Sequence, residues 1–162
     1  MNLQLKKFNP KNIDDNRVCV FIGKRGTGKT TLVTDIMYHK RNIPVGMVMS
    51  GTEEGNSYYQ QYIPDSFVYN DYQSDVIDKV LVRQKKLVRT KAPNAGVFVL
   101  LDDCMYDKKM VRDKCIRAIF MNGRHWKLFF MLTMQYCMDL SPDLRANIDY
   151  VFILRENIIQ NR

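Results

Sequence analysis

The sequence contains no uninterrupted apolar stretch of the ~18 residues that a membrane-spanning helix needs, and its polar first 16 residues lack a signal-peptide pattern. It also contains no internal repeat, no low-complexity tract and no visible linker. A chain of 162 residues fits one domain with a single core. We therefore expect residues 1–162 to form one soluble, intracellular domain.

Cysteine is sparse and shows no metal-binding or redox pattern. Its four occurrences are scattered, without a C-x-x-C pair, and three lie in or beside apolar runs. This distribution predicts reduced thiols in the core, in a reducing compartment, rather than disulfides or metal ligands. The four residues are Cys19, Cys104, Cys115 and Cys137.

One phosphate-binding pattern is complete. Residues 23–30 read Gly-Lys-Arg-Gly-Thr-Gly-Lys-Thr, which matches G-x-x-x-x-G-K-[ST], between an apolar run and a helix-like segment. In this pattern backbone N–H groups surround a β-phosphate, Lys29 reaches the β- and γ-phosphates, and the Thr30 hydroxyl can hold Mg²⁺. We predict a nucleotide site formed by Gly23, Lys24, Arg25, Gly26, Thr27, Gly28, Lys29, Thr30 and Thr31.

Apolar runs alternate with helical patterns along the whole chain. Strands are expected at 18–22, 45–49, 67–69, 97–101, 126–133 and 150–154, and helices at 29–41, 71–90, 108–121 and 141–147. The strand candidates are almost continuously apolar. This alternation predicts an α/β fold with a mostly parallel central sheet and helices on both faces.

Negative charge is in deficit, with 25 Lys and Arg against 17 Asp and Glu and a net charge of +8. This excess of positive charge suits a polyanionic partner. The alternative is a basic surface that is only solvated. The helix expected at 71–90 carries five basic residues on one side. They could face nucleic acid or a neighbouring subunit, although solvation is the commoner role of such a face. They are Lys79, Arg83, Lys85, Lys86 and Arg89.

Two carboxylates, Asp102 and Asp103, follow the apolar run at 97–101. The carboxyl ends of parallel strands are where α/β sheets bind ligands, so both should lie near the phosphate loop. Asp102 is the candidate to hold Mg²⁺. Because successive strand residues face opposite ways, we expect Asp103 to point elsewhere and to orient or deprotonate an attacking water.

Three further polar residues, together with Arg25 of the phosphate loop, are candidates for the site. Gln135 follows the strand expected at 126–133, where its amide could donate to the γ-phosphate and accept from the water; a solvent-facing loop residue is the alternative. Arg124 and Arg145 are candidates for an arginine supplied by a neighbouring subunit, or else surface or salt-bridging residues. Arg25 could contact phosphate or a partner.

These blocks together resemble the genome-packaging ATPases of nucleocytoplasmic large DNA viruses, within the FtsK/HerA-like branch of P-loop ATPases. The resemblance covers nearly the whole chain in order, at residues 23–30, 50–56, 63–65, 101–104, 122–125, 133–135 and 144–150. It implies a RecA-like fold. It also implies that Lys29 and Thr30 are the Walker A pair, Asp102 and Asp103 the Walker B pair, and Gln135 the polar sensor.

The resemblance further implies an Mg²⁺-dependent ATPase that forms a homo-oligomeric ring, expected to be a hexamer, and drives double-stranded DNA into a viral capsid. Capsid or inner-membrane-associated assembly proteins would be partners, in the virion or at assembly sites in the host cytoplasm. Two departures stand out. Asp103 replaces the Glu of many relatives, and the chain ends at Arg162, sooner than family members usually do. A DNA-contacting or pore segment would then lie outside it, or this is a minimal form.

Other functional classes share the phosphate loop. A small-molecule kinase would need an acceptor pocket and usually an arginine-rich lid, and no segment is set apart as a lid. A GTPase switch would need Asn-Lys-x-Asp and Asp-x-x-Gly motifs, and neither occurs in the sequence. An ATP-binding module that orders virion assembly without moving DNA stays open as an alternative.

Overall fold

The computed structural model describes residue 4, residues 6–104 and residues 108–155. Its strands are β1 (Val18–Ile22), β2 (Val45–Ser50), β3 (Val68–Tyr69), β4 (Val97–Asp102), β5 (Leu128–Met134) and β6 (Tyr150–Ile153). Its α-helices are α1 (Lys29–His39), α2 (Glu53–Asn56), α3 (Ser74–Arg89), α4 (Lys108–Arg112), α5 (Lys114–Asn122) and α6 (Pro142–Arg145). Short 3₁₀ turns cover Pro10–Asn12, Tyr59–Gln61, Asp65–Phe67, Gly123–Trp126 and Cys137–Asp139.

The six strands form one sheet in the order β3-β2-β4-β5-β1-β6, and every neighbouring pair is parallel. The predicted parallel sheet is therefore confirmed. Because all strands run the same way, their carboxyl ends meet at one edge. Strand β5 lies between β1 and β4, so the chain that leaves β5 emerges between the phosphate loop and the two aspartates.

The core lies on both faces of the sheet, as predicted. In β4, Val97, Val99 and Leu101 belong to a cluster with residues of α3 and α5, such as Ile77 and Ile119. The intervening β4 residues, Phe98 and Leu100, pack instead with α1 residues, including Val33 and Ile36. This alternation follows from the two-residue period of a strand, and full burial on both faces explains why the strands read as continuous apolar runs.

The predicted helix at 108–121 is wrong in one respect, because two helices separated by Asp113 occupy this region. The backbone of Asp113 is extended (φ −65°, ψ 133°), and its carboxylate accepts a hydrogen bond of 2.7 Å from Cys115 N. Asp113 thus caps α5. Burial alone would raise the pKa of Asp113, but hydrogen bonds from the Ser74 hydroxyl and the Cys115 N–H lower it.

The strand predicted at 126–133 begins later, at Leu128. Helix α5 ends at Asn122, one residue beyond the predicted end, and Gly123 keeps a right-handed backbone (φ −53°) and leads into a 3₁₀ turn. Lys127, at the end of this turn, adopts a left-handed backbone (φ 54°), and the strand begins at the next residue. At α6, Pro142 takes the first helical position as predicted, whereas Ser141 makes no side-chain capping bond.

Cys19, Cys104 and Cys115 are buried thiols without disulfide partners, in agreement with the prediction. Burial raises the pKa of Cys19 and of Cys104 to about 12. The side chain of Cys137 lies outside the described part of the chain. Within the described ranges, no helix is both long enough and apolar enough to cross a membrane.

Candidate active site

The phosphate loop owes its shape to glycine. Gly26 (φ 75°) and Gly28 (φ 91°) adopt left-handed backbone angles, which other residues take up only at a cost. At Gly23, a Cβ atom would lie 2.7 Å from Thr27 Oγ1. The Thr27 hydroxyl in turn donates to Lys24 O at 2.7 Å. These contacts fold the loop into a tight turn that ends at the first residue of α1.

The Lys29 ammonium lies against the loop that precedes it. Its Nζ donates to Gly23 O at 2.7 Å and to Lys24 O at 2.9 Å. An ammonium has three N–H donors, so these two carbonyls fix its position and leave capacity for one acceptor more. The side chain is thus held at the N-terminus of α1, where the helix dipole favours anions.

A polar cleft of about 430 Å³ opens between the loop and the carboxyl ends of β2 and β4. It brings together three segments that lie far apart in the sequence. Cations, hydroxyls and carboxylates therefore share one small volume, which is the arrangement expected of a site for a phosphate ester with a divalent cation. Its lining residues are Arg25, Gly26, Gly28, Lys29, Thr30, Thr52, Asp102 and Asp103.

Two hydroxyl groups hold the Asp102 carboxylate. Thr133, on β5, donates to Oδ1 at 2.7 Å, and Tyr59, from the connection between β2 and β3, donates to Oδ2 at 2.6 Å. All three side chains are buried. Burial, followed by the nearby charge of Asp102, raises the pKa of Tyr59 far above its usual range, so its hydroxyl keeps its proton.

Asp103 lines the same cleft as Asp102, contrary to the expectation that it points elsewhere. Strand β4 ends at Asp102, and Asp103 adopts a left-handed backbone (φ 52°) that Asp tolerates better than most residues. The Asp103 N–H donates to Thr133 Oγ1 at 2.9 Å. The alternation of side chains along β4 ends at Asp102 and therefore does not extend to Asp103, which is why the expectation was wrong.

A buried carboxylate anchors the segment that carries Tyr59. Oε1 of Glu53 accepts hydrogen bonds from Tyr59 N at 2.8 Å and from Gln60 N at 3.1 Å. Sequence reasoning identified neither Tyr59 nor Thr52, Glu53 and Thr133 as individual site residues. Thr52, Glu53 and Thr133 fall within blocks of the family resemblance, but no pattern in the sequence marks Tyr59.

Gln135 follows β5 directly and is half-buried, outside the residues that line the cleft. Its neighbour Met134 accepts a hydrogen bond from Gly23 N at 3.1 Å, so the end of β5 adjoins the phosphate loop. Thr31 is exposed in the first turn of α1 and also lies outside that lining. Lys24 and Thr27 shape the loop without lining the cleft.

Neither candidate arginine lines the cleft of its own chain. Arg124 precedes β5, at the opposite edge of the sheet, where its guanidinium lies 3.5 Å from Asp149. Arg145, in α6, donates to the Met138 sulfur at 2.8 Å. Both placements match the surface or ion-pairing alternative within one chain.

The sequence profile of the family described as "Poxvirus A32 protein" matches residues 5–160. Among curated proteins, "Uncharacterized protein 075L" of Invertebrate iridescent virus 6 is 43% identical over 154 residues, which cover 92% of this chain and 60% of that protein. "Uncharacterized protein 015R" of Frog virus 3 is 41% identical, over 100% of this chain and 52% of that protein. The chain thus spans between half and two thirds of these relatives.

Solved structures share the fold. The genome packaging NTPase B204 from Sulfolobus turreted icosahedral virus 2, in complex with ATP-gammaS, matches with a TM-score of 0.63 at 15% identity, over 92% of this chain and 79% of that one. EssC (ATPases 2 and 3) from Geobacillus thermodenitrificans matches with a TM-score of 0.68 at 14% identity, over 91% and 33%. These likenesses confirm the predicted P-loop ATPase fold.

Proposed function

The chain belongs to the poxvirus A32 protein family, and on this basis we propose that it hydrolyses ATP and uses the energy to package viral double-stranded DNA. The observation that carries the proposal is the single cleft that joins a complete phosphate loop to two strand-end carboxylates. We infer that the triphosphate lies along the loop, with Lys29 against its β- and γ-phosphates.

The oxygen donors of the cleft suit Mg²⁺, which binds protein and substrate oxygens together. They suit less well a metal ion that is held by protein side chains alone. Within the described residues there is no group of three or more His, Cys, Asp or Glu side chains that could form a metal cage. The cleft offers instead the Thr30 hydroxyl, at the end of the phosphate loop, and the well-held carboxylate of Asp102, and Mg²⁺ typically combines one or two carboxylates with substrate phosphates. When bound there, Mg²⁺ would offset the negative charge on the phosphate oxygens.

We assign the remaining carboxylate, Asp103, to the attacking water. In this step the water oxygen bonds to the γ-phosphorus, the bond from that phosphorus to the ADP oxygen breaks, and the water proton passes to Asp103. Gln135 would help to orient the water from the end of β5, which lies between the loop and the carboxylates. This role is supported by the position of Asp103 in the cleft lining, beside Asp102.

The arginine positions favour a site completed between subunits. Arg124 lies at the sheet edge opposite the phosphate loop, and Arg145 lies outside the cleft lining, so we propose that one of them reaches the cleft of a neighbouring copy. Such an arrangement requires a head-to-tail contact, and repeated head-to-tail contacts close into a ring when the rotation permits. The ring, expected to be hexameric, is part of the proposal.

Double-stranded DNA is the proposed polyanionic partner. Support comes from the family, from the name of the fold relative B204, and from the net charge of +8. Exposed residues of α3, among them Lys86 and Arg89, give one basic face. Capsid or inner-membrane-associated proteins would be further partners, in the virion or at cytoplasmic assembly sites. The longer relatives leave room for additional DNA-contacting segments.

The test is steady-state ATP hydrolysis with and without duplex DNA, together with the mass of the assembled particle. We expect DNA to stimulate turnover in a ring-sized species. The DNA concentration needed for half of the maximal stimulation should rise steeply with salt concentration. Replacing Lys86 and Arg89 together by Glu should weaken the DNA response. The same charge change at the exposed residues Lys7 and Lys11 serves as control. Turnover indifferent to DNA would favour an assembly module over a motor.

A further inference from the structure

We propose that Tyr59 is a positioning residue for the ATPase site, because its hydroxyl locks the carboxylate of Asp102 in the orientation that receives Mg²⁺. The inference rests on the proposed function and assigns a role to a residue outside every sequence motif of the site. Tyr59 does not line the cleft. It acts through Asp102.

The two hydrogen bonds on Asp102 leave the carboxylate no freedom to turn. Thr133 holds Oδ1 at 2.7 Å from one side, and Tyr59 holds Oδ2 at 2.6 Å from the other. A carboxylate has about four acceptor positions, so each oxygen keeps capacity for a metal ion or a metal-bound water. With one hydroxyl removed, the carboxylate could rotate about its Cβ–Cγ bond and its lone pairs would no longer point in one direction.

Tyr59 is itself held in place. Its side chain is 1% exposed, and its backbone N–H donates to Glu53 Oε1, a carboxylate that is also 1% exposed. The ring of Tyr58 packs edge-on against it, with centroids 5.2 Å apart at 87°. Because the ring cannot move, its hydroxyl oxygen has one position, and in that position it donates to the Asp102 carboxylate.

Packing alone does not require this hydroxyl. A phenylalanine ring would fill the same volume, and among the described residues the one hydrogen bond of the buried Tyr59 hydroxyl is to Asp102. Groups that orient a metal-binding carboxylate commonly change metal affinity by about 10- to 100-fold when they are lost. A purely structural hydroxyl would change the stability of the fold and leave metal affinity unchanged.

The decisive experiment measures metal binding directly. Mn²⁺, a paramagnetic substitute for Mg²⁺, is titrated by electron paramagnetic resonance into the chain bound to a non-hydrolysable ATP analogue. We expect Tyr59→Phe to weaken Mn²⁺ binding about tenfold, and to leave binding of the analogue in EDTA unchanged. Tyr58→Phe is the matched control, since its hydroxyl lies 3.1 Å from Thr34 Oγ1 rather than at Asp102. Wild-type Mn²⁺ affinity in Tyr59→Phe would overturn the proposal.

A second pair of variants keeps the test valid if Tyr59→Phe unfolds. Thr133→Ser keeps the other hydroxyl on Asp102 and the acceptor for the Asp103 N–H, and should bind Mn²⁺ almost as wild type does. Thr133→Val, which has nearly the same shape but lacks both contacts, should bind it about tenfold more weakly. Equal affinity in these two variants would contradict a hydroxyl lock. Wild-type protein that binds Mn²⁺ and the analogue but does not hydrolyse ATP would overturn the proposed function and leave this inference intact.

Discussion

At the scale of single residues, the cleft depends on backbone angles that most amino acids avoid. Gly26, Gly28 and Asp103 all have φ between 52° and 91°, where a side chain beyond Cα costs roughly 1–2 kcal/mol. Two of the three positions are glycine, which carries no such cost. The third is Asp103, which lines the cleft and is the proposed base; local strain is commonly tolerated at functional sites.

Gly28→Ala tests whether the loop geometry matters for binding. The substitution forces a Cβ atom onto a residue with φ 91°, so we expect the free energy of unfolding to fall by about 1 kcal/mol and nucleotide affinity to fall markedly. Chemical denaturation and titration with a fluorescent nucleotide measure the two effects. Gly55→Ala is the control, because its Cβ would meet open space in a helix. Identical behaviour of the two variants would contradict this account.

The sequence identified the loop, Lys29 and the aspartate pair because each belongs to a short local pattern. The prediction for the orientation of Asp103 was wrong, because side chains alternate only while the strand continues. Nothing in the local sequence shows that β4 ends at Asp102. Tyr59 was missed because the contact with Asp102 spans 43 positions in the chain. A buried tyrosine of this kind has no signature until the fold is known.

At the scale of helices and strands, hydrophobic periodicity located every strand of the sheet and the long helices. It could not show the division between α4 and α5, because buried positions such as Met110, Cys115 and Ile116 continue across the break. Asp113 interrupts the helix by capping the next one, a preference that competes with helix propagation at polar residues. Local capping energies of about 1 kcal/mol decide such boundaries.

Asp113→Ala should therefore lower the free energy of unfolding by about 1 kcal/mol at neutral pH, as measured by urea denaturation. Because hydrogen bonds lower its folded-state pKa, the carboxylate stabilises the fold above the unfolded pKa of about 3.9, and this stability is lost as the pH falls through the folded pKa. Asp113→Asn keeps a cap that does not titrate, so it should stay near wild type at neutral pH and lose less stability in acid. An alanine variant as stable as wild type would show that the cap contributes nothing.

At the scale of the whole molecule, a parallel sheet explains why distant residues meet. Alternating strands and helices were enough to predict that the phosphate loop, Asp102 and Gln135 leave the sheet at one edge. The strand order was not predictable, because it depends on which apolar faces pack best rather than on any local signal. The order places β5 between β1 and β4, and this places Thr133 where it can hold Asp102 and the Asp103 N–H together.

The carboxyl and amino edges of the sheet carry different functional groups. The cleft lies at the carboxyl edge, whereas Arg124 pairs with Asp149 at the amino edge. A neighbouring copy in the same orientation would present its amino-edge residues to this cleft in a head-to-tail assembly. In the proposed ring, hydrolysis at such a contact would change the relation between neighbouring subunits.

We propose that the cleft between the phosphate loop and the aspartate pair hydrolyses ATP with Asp103 as the base. The most direct measurement compares ATP binding and single-turnover hydrolysis in wild type and Asp103→Asn. We expect the variant to bind ATP as wild type does and to lose at least about 100-fold in the rate of hydrolysis, since general-base contributions are of that size. An Asp103→Asn protein that hydrolyses ATP at the wild-type rate would contradict the claim.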